Sequence, residues 1–206
     1  MRRRLAVAAA VLPAALLATA CSSTHQPSMA APGPSHVDVG SKDLVALKKQ
    51  THVPDCPRVL RNAAAGGMPS VTLPCLGGGR AVDVAGLRGP MVVNFWASWC
   101  DVCRKEMPAL ARYARTHPGV RVVGVDFLDT QPGAALQLAG ASGVGYPLLA
   151  DPDARLDRNG PIPHLPGLPF TAYVDASGRV VHREFGALTT AAAVASAVHR
   201  YLGVAG

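Results

Sequence analysis

Two cysteines separated by two residues, Cys100-Asp101-Val102-Cys103, carry the clearest chemistry in this chain. A thiolate attacks a disulfide sulfur, and a second thiol about one helical turn away can resolve the mixed disulfide that forms. The run before them, Met91-Val92-Val93-Asn94-Phe95-Trp96, is apolar except for Asn94 and predicts a buried parallel strand. A helix is predicted from about Cys100 to Thr116, with Leu110 and Tyr113 at helical spacing and His117-Pro118-Gly119 as the stop. A cysteine that opens a helix faces unpaired backbone N–H groups and the positive end of the helix dipole. Both favour thiolate, and such thiols titrate at about 3.5–7.5 instead of about 8.5. Cys100 is therefore expected to be the exposed attacker and Cys103 the buried resolver. The plainer alternative is a pair that only staples a helix start; the strand–CxxC–helix order weighs against it.

The chain holds five cysteines, an odd number. Cys21 follows Arg2-Arg3-Arg4, an uncharged Ala/Leu/Val run over 5–20, and a small-residue stretch, which is the layout of an export signal. The run is shorter than the ~20 residues a spanning helix needs and contains Pro13. Leu17-Ala18-Thr19-Ala20-Cys21 resembles a bacterial lipoprotein box, which implies cleavage before Cys21 and its lipidation. The alternative is an ordinary signal peptide cut nearby. On this reading residues 1–20 are the signal and 21–50 a flexible tether, rich in Ser, Pro, Ala and Gly over 22–40. Residues 51–206 are the folded domain, and 51–90 are its N-terminal extension.

With Cys21 assigned to lipid and the close pair to redox work, Cys56 and Cys75 remain, 19 positions apart. They are expected to form a structural disulfide, worth about 3 kcal/mol by loop closure in an oxidising compartment. A second functional redox couple is the alternative, although this pair lacks the close spacing and helix-start context that lower a thiol pKa. A four-cysteine zinc site is disfavoured because it needs two close pairs; scattered histidines offer no ligand motif, so no metal is expected.

The remaining elements must position the CxxC. Val120–Val125 predicts a strand, 132–141 a helix begun by Pro132, and Tyr146–Ala150 a short strand. Residues 151–169, with five prolines, predict a long loop. Phe170–Asp175 and Arg179–Glu184 flank the hairpin turn Ala176-Ser177-Gly178, and a helix over Thr189–Leu202 is capped by Thr189 or Thr190. Val71-Thr72-Leu73 predicts an edge strand. The order βαβαβ…ββα implies an α/β domain with a mixed central sheet and helices on both faces.

The segment Asn94-Phe95-Trp96-Ala97-Ser98-Trp99-Cys100-Asp101-Val102-Cys103-Arg104-Lys105-Glu106-Met107-Pro108 resembles the active-site stretch of TlpA/ResA-like thioredoxin-fold proteins. Gly167-Leu168-Pro169-Phe170-Thr171-Ala172-Tyr173-Val174-Asp175 continues the resemblance, which spans about 68–206. It implies a thioredoxin fold and an exported, membrane-tethered thiol–disulfide oxidoreductase with no cofactor. It also implies that Pro169 is a cis-proline facing the CxxC, exposing the Leu168 backbone to a bound partner. Glu106 then handles protons or tunes the thiols; the alternative is an acid that merely complements the helix dipole. Trp96 is expected to shield the site from the core side, and Trp99 to shield it or contact the partner. Two departures stand out: no proline precedes Cys103, and Asp101 adds negative charge beside Cys100. Asp101 should raise the Cys100 pKa, which favours a reductant, while Arg104 and Lys105 oppose this.

The formal charge of +7 includes the three N-terminal arginines, and no basic block interleaved with aromatics is present, so no nucleic-acid partner is expected. Expected partners are protein disulfides or dithiols, such as apocytochrome c thiols, together with a membrane redox protein that resets the CxxC. A lipid anchor in the membrane and a monomeric state complete the expectation. An oxidase that inserts disulfides is the main alternative. A peroxidase needs Pro and Thr where Val93 and Ala97 stand, and a binding module with a dead fold would not keep both cysteines.

Overall fold

The computed structural model describes residues 35–59, 62–157 and 165–204. The expected signal segment 1–20, Cys21 with its expected lipidation, and the first part of the expected tether lie outside the described residues. No helix among the described residues is long and apolar enough to cross a membrane.

The centre is a five-stranded sheet of order β5-β4-β3-β6-β7. Its strands are β3 (Met91–Trp96), β4 (Arg121–Phe127), β5 (Leu148–Asp151), β6 (Phe170–Val174) and β7 (Val180–Phe185). The strands β3, β4 and β5 run parallel, while β6 and β7 are antiparallel, so the sheet is mixed as expected. All six residues of β3 are buried, which explains why its sequence is a near-continuous apolar run.

The helix α2 (Asp101–Thr116) follows β3 directly. It buries Cys103, Glu106, Met107, Leu110 and Tyr113, a stripe at three- and four-residue spacing. Pro108 lies inside this helix and lacks the N–H that would bond the preceding turn. The helix α3 (Pro132–Ala141) starts at its proline, and α4 (Ala191–Leu202) is capped by Thr190, whose hydroxyl accepts from Ala193 N–H at 3.1 Å. Buried residues of α2, α3 and α4 join Val92, Trp96 and Leu148 in one core cluster.

Two expectations are corrected. Residues 42–50 are not tether but a helix, α1 (Lys42–Gln50). Ser41 caps it by accepting from Leu44 N–H at 3.3 Å, and Leu44 and Leu47 pack on the core, so cap and apolar spacing act together. The sheet's second face was expected to carry helices. Among the described residues it is covered instead by β1 (Thr72–Leu73), β2 (Val82–Asp83), the 3₁₀ turn Val84–Gly86 and the turn near Leu156. These segments lie among glycines and prolines that do not sustain an α-helix, and they bury Met68, Leu73, Val84 and Leu156 against Phe95, Val125 and Ala172.

Candidate active site

The backbone leaves β3 through Ala97-Ser98-Trp99 and enters α2 at Cys100. Two contacts with the loop after β4 hold this passage. Ser98 N–H donates to Asp129 Oδ2 at 2.6 Å, and Trp99 Nε1–H donates to Leu128 O at 3.1 Å. Arg104 reaches back from the first turn of α2 and donates to Ser98 O at 3.1 Å. Cys100 is thereby set at the N-cap, where its sulfur accepts from Cys103 N–H at 3.1 Å. This is the position a side-chain acceptor takes to satisfy an orphan donor, and an anionic sulfur accepts more strongly than a neutral one.

Cys100 and Cys103 are joined by a disulfide with Cα atoms 5.3 Å apart. Their exposure differs: Cys100 retains 6% and Cys103 none. Trp99, 54% exposed, and Val102 stand on the surface beside Cys100. Trp96 is fully buried, in the core cluster that also holds Cys100 and Cys103.

Glu106 lies one helical turn beyond Cys103 and is fully buried. Its Oε2 accepts from Asn94 Nδ2–H at 3.0 Å and its Oε1 from Leu188 N–H at 2.9 Å. Burial pushes the carboxyl up to about 7 against the downward pull of those two hydrogen bonds, and the Glu184 charge adds to the rise. A carboxyl there gains and loses a proton near neutral pH, as a proton-transfer group must.

Pro169 follows a cis Leu168–Pro169 peptide. Pairing of Phe95 with Phe170 sets this corner at the end of the sheet from which the CxxC loop departs. Pro169 O accepts from Gly186 N–H at 3.1 Å, whereas Leu168 forms no backbone hydrogen bond among the described residues and stays half-buried. The structure thus brings Cys100, Cys103, Glu106 and Trp99 onto one helix start, with the Leu168–Pro169 corner at the same end of the sheet. Cys56 and Cys75 are joined by their own disulfide, Cα atoms 5.8 Å apart, in the N-terminal extension.

Residues 66–183, more than half of the chain, match the AhpC/TSA family model. The chain belongs to the AhpC/TSA family. Over 140 residues it is 39% identical to a thiol:disulfide interchange protein DsbE homolog of Paracoccus denitrificans, covering 65% of this chain and 73% of that protein. Over 128 residues it is 30% identical to the thiol-disulfide oxidoreductase ResA of Bacillus subtilis, covering 60% of this chain and 66% of that protein. Coverage of the curated relatives' own length ranges from half to three quarters. A crystal structure of a thioredoxin-family thiol:disulfide interchange protein from Chlorobium tepidum superposes with a TM-score of 0.57 at 28% identity, covering 69% of this chain and 99% of that one. The fold is thioredoxin-like. Within the AhpC/TSA family, this chain carries an intact CxxC at a helix start, and it is a thiol–disulfide oxidoreductase.

Two features of the site escaped the sequence. Asp126 and Asp129 form a buried carboxyl pair at the end of β4; burial, the Asp129 charge and a hydrogen bond with Asp129 hold the Asp126 carboxyl well above its ordinary range. An acid closing an otherwise apolar strand was the available signal. Gly124 was the other. A Cβ there would lie 2.5 Å from Leu148 Cδ2 and 2.9 Å from Trp96 Nε1, so the tryptophan packs only against a residue with no side chain.

Proposed function

We propose that this chain is a membrane-tethered, extracytoplasmic oxidoreductase that reduces disulfides of exported proteins, with cysteine pairs of apocytochrome c type as its substrate class. The observation that carries the reading is the asymmetry of the pair: Cys100, largely buried, keeps a 6% accessible edge and a backbone N–H donor, while Cys103 has no accessible surface.

The reduced Cys100 thiolate attacks one sulfur of the substrate disulfide. That S–S bond breaks, its electron pair leaves on the other substrate sulfur, and a Cys100–substrate mixed disulfide remains. Cys103 then gives up its proton, with Glu106 as acceptor one turn away, and attacks Cys100 Sγ. The substrate departs fully reduced, and the oxidised Cys100–Cys103 pair is returned to dithiol by a membrane-bound dithiol partner. Leu168 offers its unpaired backbone to the bound segment, Pro169 shapes that corner, and Trp99 supplies apolar contact. Cys21 provides the lipid anchor. The DsbE and ResA names of the relatives support the reaction class, and Asp101 beside Cys100 supports the reducing direction.

The test is the reduction potential of the Cys100–Cys103 couple, with insulin reduction and a Cys100→Ala control. A potential near that of thioredoxin, about −270 mV, with Cys100-dependent activity is expected; one near about −120 mV, the range of strong oxidants, reverses the direction.

A further inference from the structure

Lys48 is a buried lysine whose ammonium lies against a disulfide. It sits in the last turn of α1, and its Nζ donates to Asp55 Oδ1 at 2.9 Å, to Gly78 O at 2.9 Å and to Cys75 Sγ at 3.3 Å. The three donors of an ammonium are thus directed at a carboxylate, a carbonyl and a sulfur. Asp55 points outward and is well exposed, so its charge is screened by water, while the sulfur side is dry. A cavity of about 420 Å³ lined by Val45, Lys48, Val53, Asp55 and Gly79 opens beside this ammonium. The backbone of Gly77, Gly78 and Gly79 wraps the lysine with positive φ at all three positions; a Cβ on Gly77 would meet Lys48 Cβ at 2.8 Å.

The other sulfur has a complementary neighbour. Cys56 Sγ lies 3.3 Å from Leu148 O. In the disulfide it has no proton to give, but as a thiol it has an acceptor already in place. Each half of the reduced pair therefore has its partner waiting: an ammonium for a Cys75 thiolate, a carbonyl for a Cys56 thiol. A disulfide that serves only as a staple needs neither. The two sulfurs also differ in access, since Cys56 retains 7% exposure and Cys75 only 1%.

We propose that Cys56–Cys75 is a second redox couple, reduced by dithiols through attack at Cys56, with Cys75 leaving as a thiolate held by Lys48. A dithiol's thiolate bonds to Cys56 Sγ, the Cys56–Cys75 bond breaks, and its electron pair goes to Cys75 Sγ beside the ammonium. The second thiol of the reductant then loses its proton to water and attacks the mixed disulfide. It leaves as a disulfide, and the departing Cys56 thiolate takes a proton from water and turns to Leu148 O. Two electrons enter the pair and the reductant is oxidised by two. A neighbouring cation lowers a thiol's pKa, and a leaving thiol of lower pKa departs faster. This couple stands beside β5, through the bridge of Cys75 to Leu149, and is separate in the fold from the helix start that holds the CxxC.

The experiment uses the full chain carrying Cys100→Ser and Cys103→Ser, so that its outcome does not depend on the proposed function of the CxxC. The oxidised protein is equilibrated with dithiothreitol buffers, quenched by alkylation, and read residue by residue by mass spectrometry, alongside circular dichroism. Cys56 and Cys75 are expected to become reduced together while the protein stays folded, and limiting glutathione is expected to trap at Cys56. Lys48→Met is expected to slow reduction about tenfold, with Lys48→Arg restoring part of the rate. The sign separates this role from a structural one, because loosening α1 would expose the bridge and speed its reduction. A bridge that opens only when the protein unfolds, trapping at Cys75, or an unchanged or faster rate in Lys48→Met overturns the proposal.

Discussion

Asn94 and Glu106 meet across the interface of β3 and α2, the amide Nδ2–H donating to carboxylate Oε2 at 3.0 Å in a fully buried setting. Asn94 is the one polar residue in the central strand, and its Oδ1 has no partner among the described residues. Burying an amide this way is costly unless it serves another group. Here it fixes the orientation of a carboxyl one turn beyond Cys103, beside the phenol of Tyr146, whose pKa is raised by burial and by the Glu106 charge.

The Glu106 carboxyl has a direct consequence for stability against pH. Its folded pKa, about 7, lies above the ordinary glutamate value of 4.5. An acid with a raised folded pKa contributes stability that is complete below the unfolded value and is lost as pH rises through the folded one. The native protein should therefore lose about 3 kcal/mol between roughly pH 4.5 and pH 7 relative to Glu106→Gln. Urea denaturation of both proteins from pH 4.5 to 8.5 measures the difference, and a pH-independent gap contradicts the assignment. In the same pair, the rate of mixed-disulfide resolution should show an inflection near neutral pH that Glu106→Gln removes.

Much of this site was legible from residue order alone, for physical reasons that differ by element. The limits of β3 and α3 follow from an apolar run bounded by Gly-Pro and from Pro132, signals that act locally. Cys100 at the helix start was legible because a strand and a helical stripe abut it. Helix α1 was missed because only Leu44 and Leu47 mark its apolar side and the composition upstream is that of a linker. Apart from the Cys56–Cys75 pairing, contacts between elements were not legible. Lys48 reaches Cys75 across 27 positions, Ser98 reaches Asp129 across 31 and Glu106 reaches Leu188 across 82; no local pattern encodes them.

Asp129 ties the loop before the CxxC to the loop after β4. Its Oδ2 accepts from the buried Ser98 N–H and its Oδ1 from Gln131 N–H at 2.8 Å. Asp129→Ala leaves both donors without an acceptor and should cost about 1–3 kcal/mol, read as a lower urea midpoint with an unchanged slope. It also removes a charge that raises the Asp126 carboxyl, so Asp126 should titrate lower in the variant, which carboxyl NMR detects.

Trp99 presents more than half of its surface while its Nε1–H is held by Leu128 O, and Leu128 is itself half exposed. A ring fixed this way gives a partner apolar area at little entropic cost. Trp99→Ala should raise KM for a protein disulfide roughly fivefold to tenfold, the scale of an interface residue worth about 1 kcal/mol, while leaving turnover of glutathione disulfide within twofold. Equal losses on both substrates would place Trp99 in shielding the thiols instead.

Gly124 tests how tightly the core beneath the CxxC is packed. It pairs with Asn94 on β3 and with Leu148 on β5, and it faces the Trp96 indole, whose Nε1 has no hydrogen-bond partner among the described residues. A methyl group there would lie 2.5 Å from Leu148 Cδ2 and 2.9 Å from Trp96 Nε1. Both groups belong to fully buried side chains, so neither can swing into solvent, and relief requires shifting β4 against β5. Gly124→Ala should therefore destabilise the fold by about 1–3 kcal/mol, although alanine suits a strand better than glycine. Because Trp96 leads directly into Ala97 and the CxxC loop, its displacement should also alter Trp96 fluorescence in the folded state. An unchanged urea midpoint would mean that Leu148 repacks freely, and that Gly124 is not what holds the indole in place.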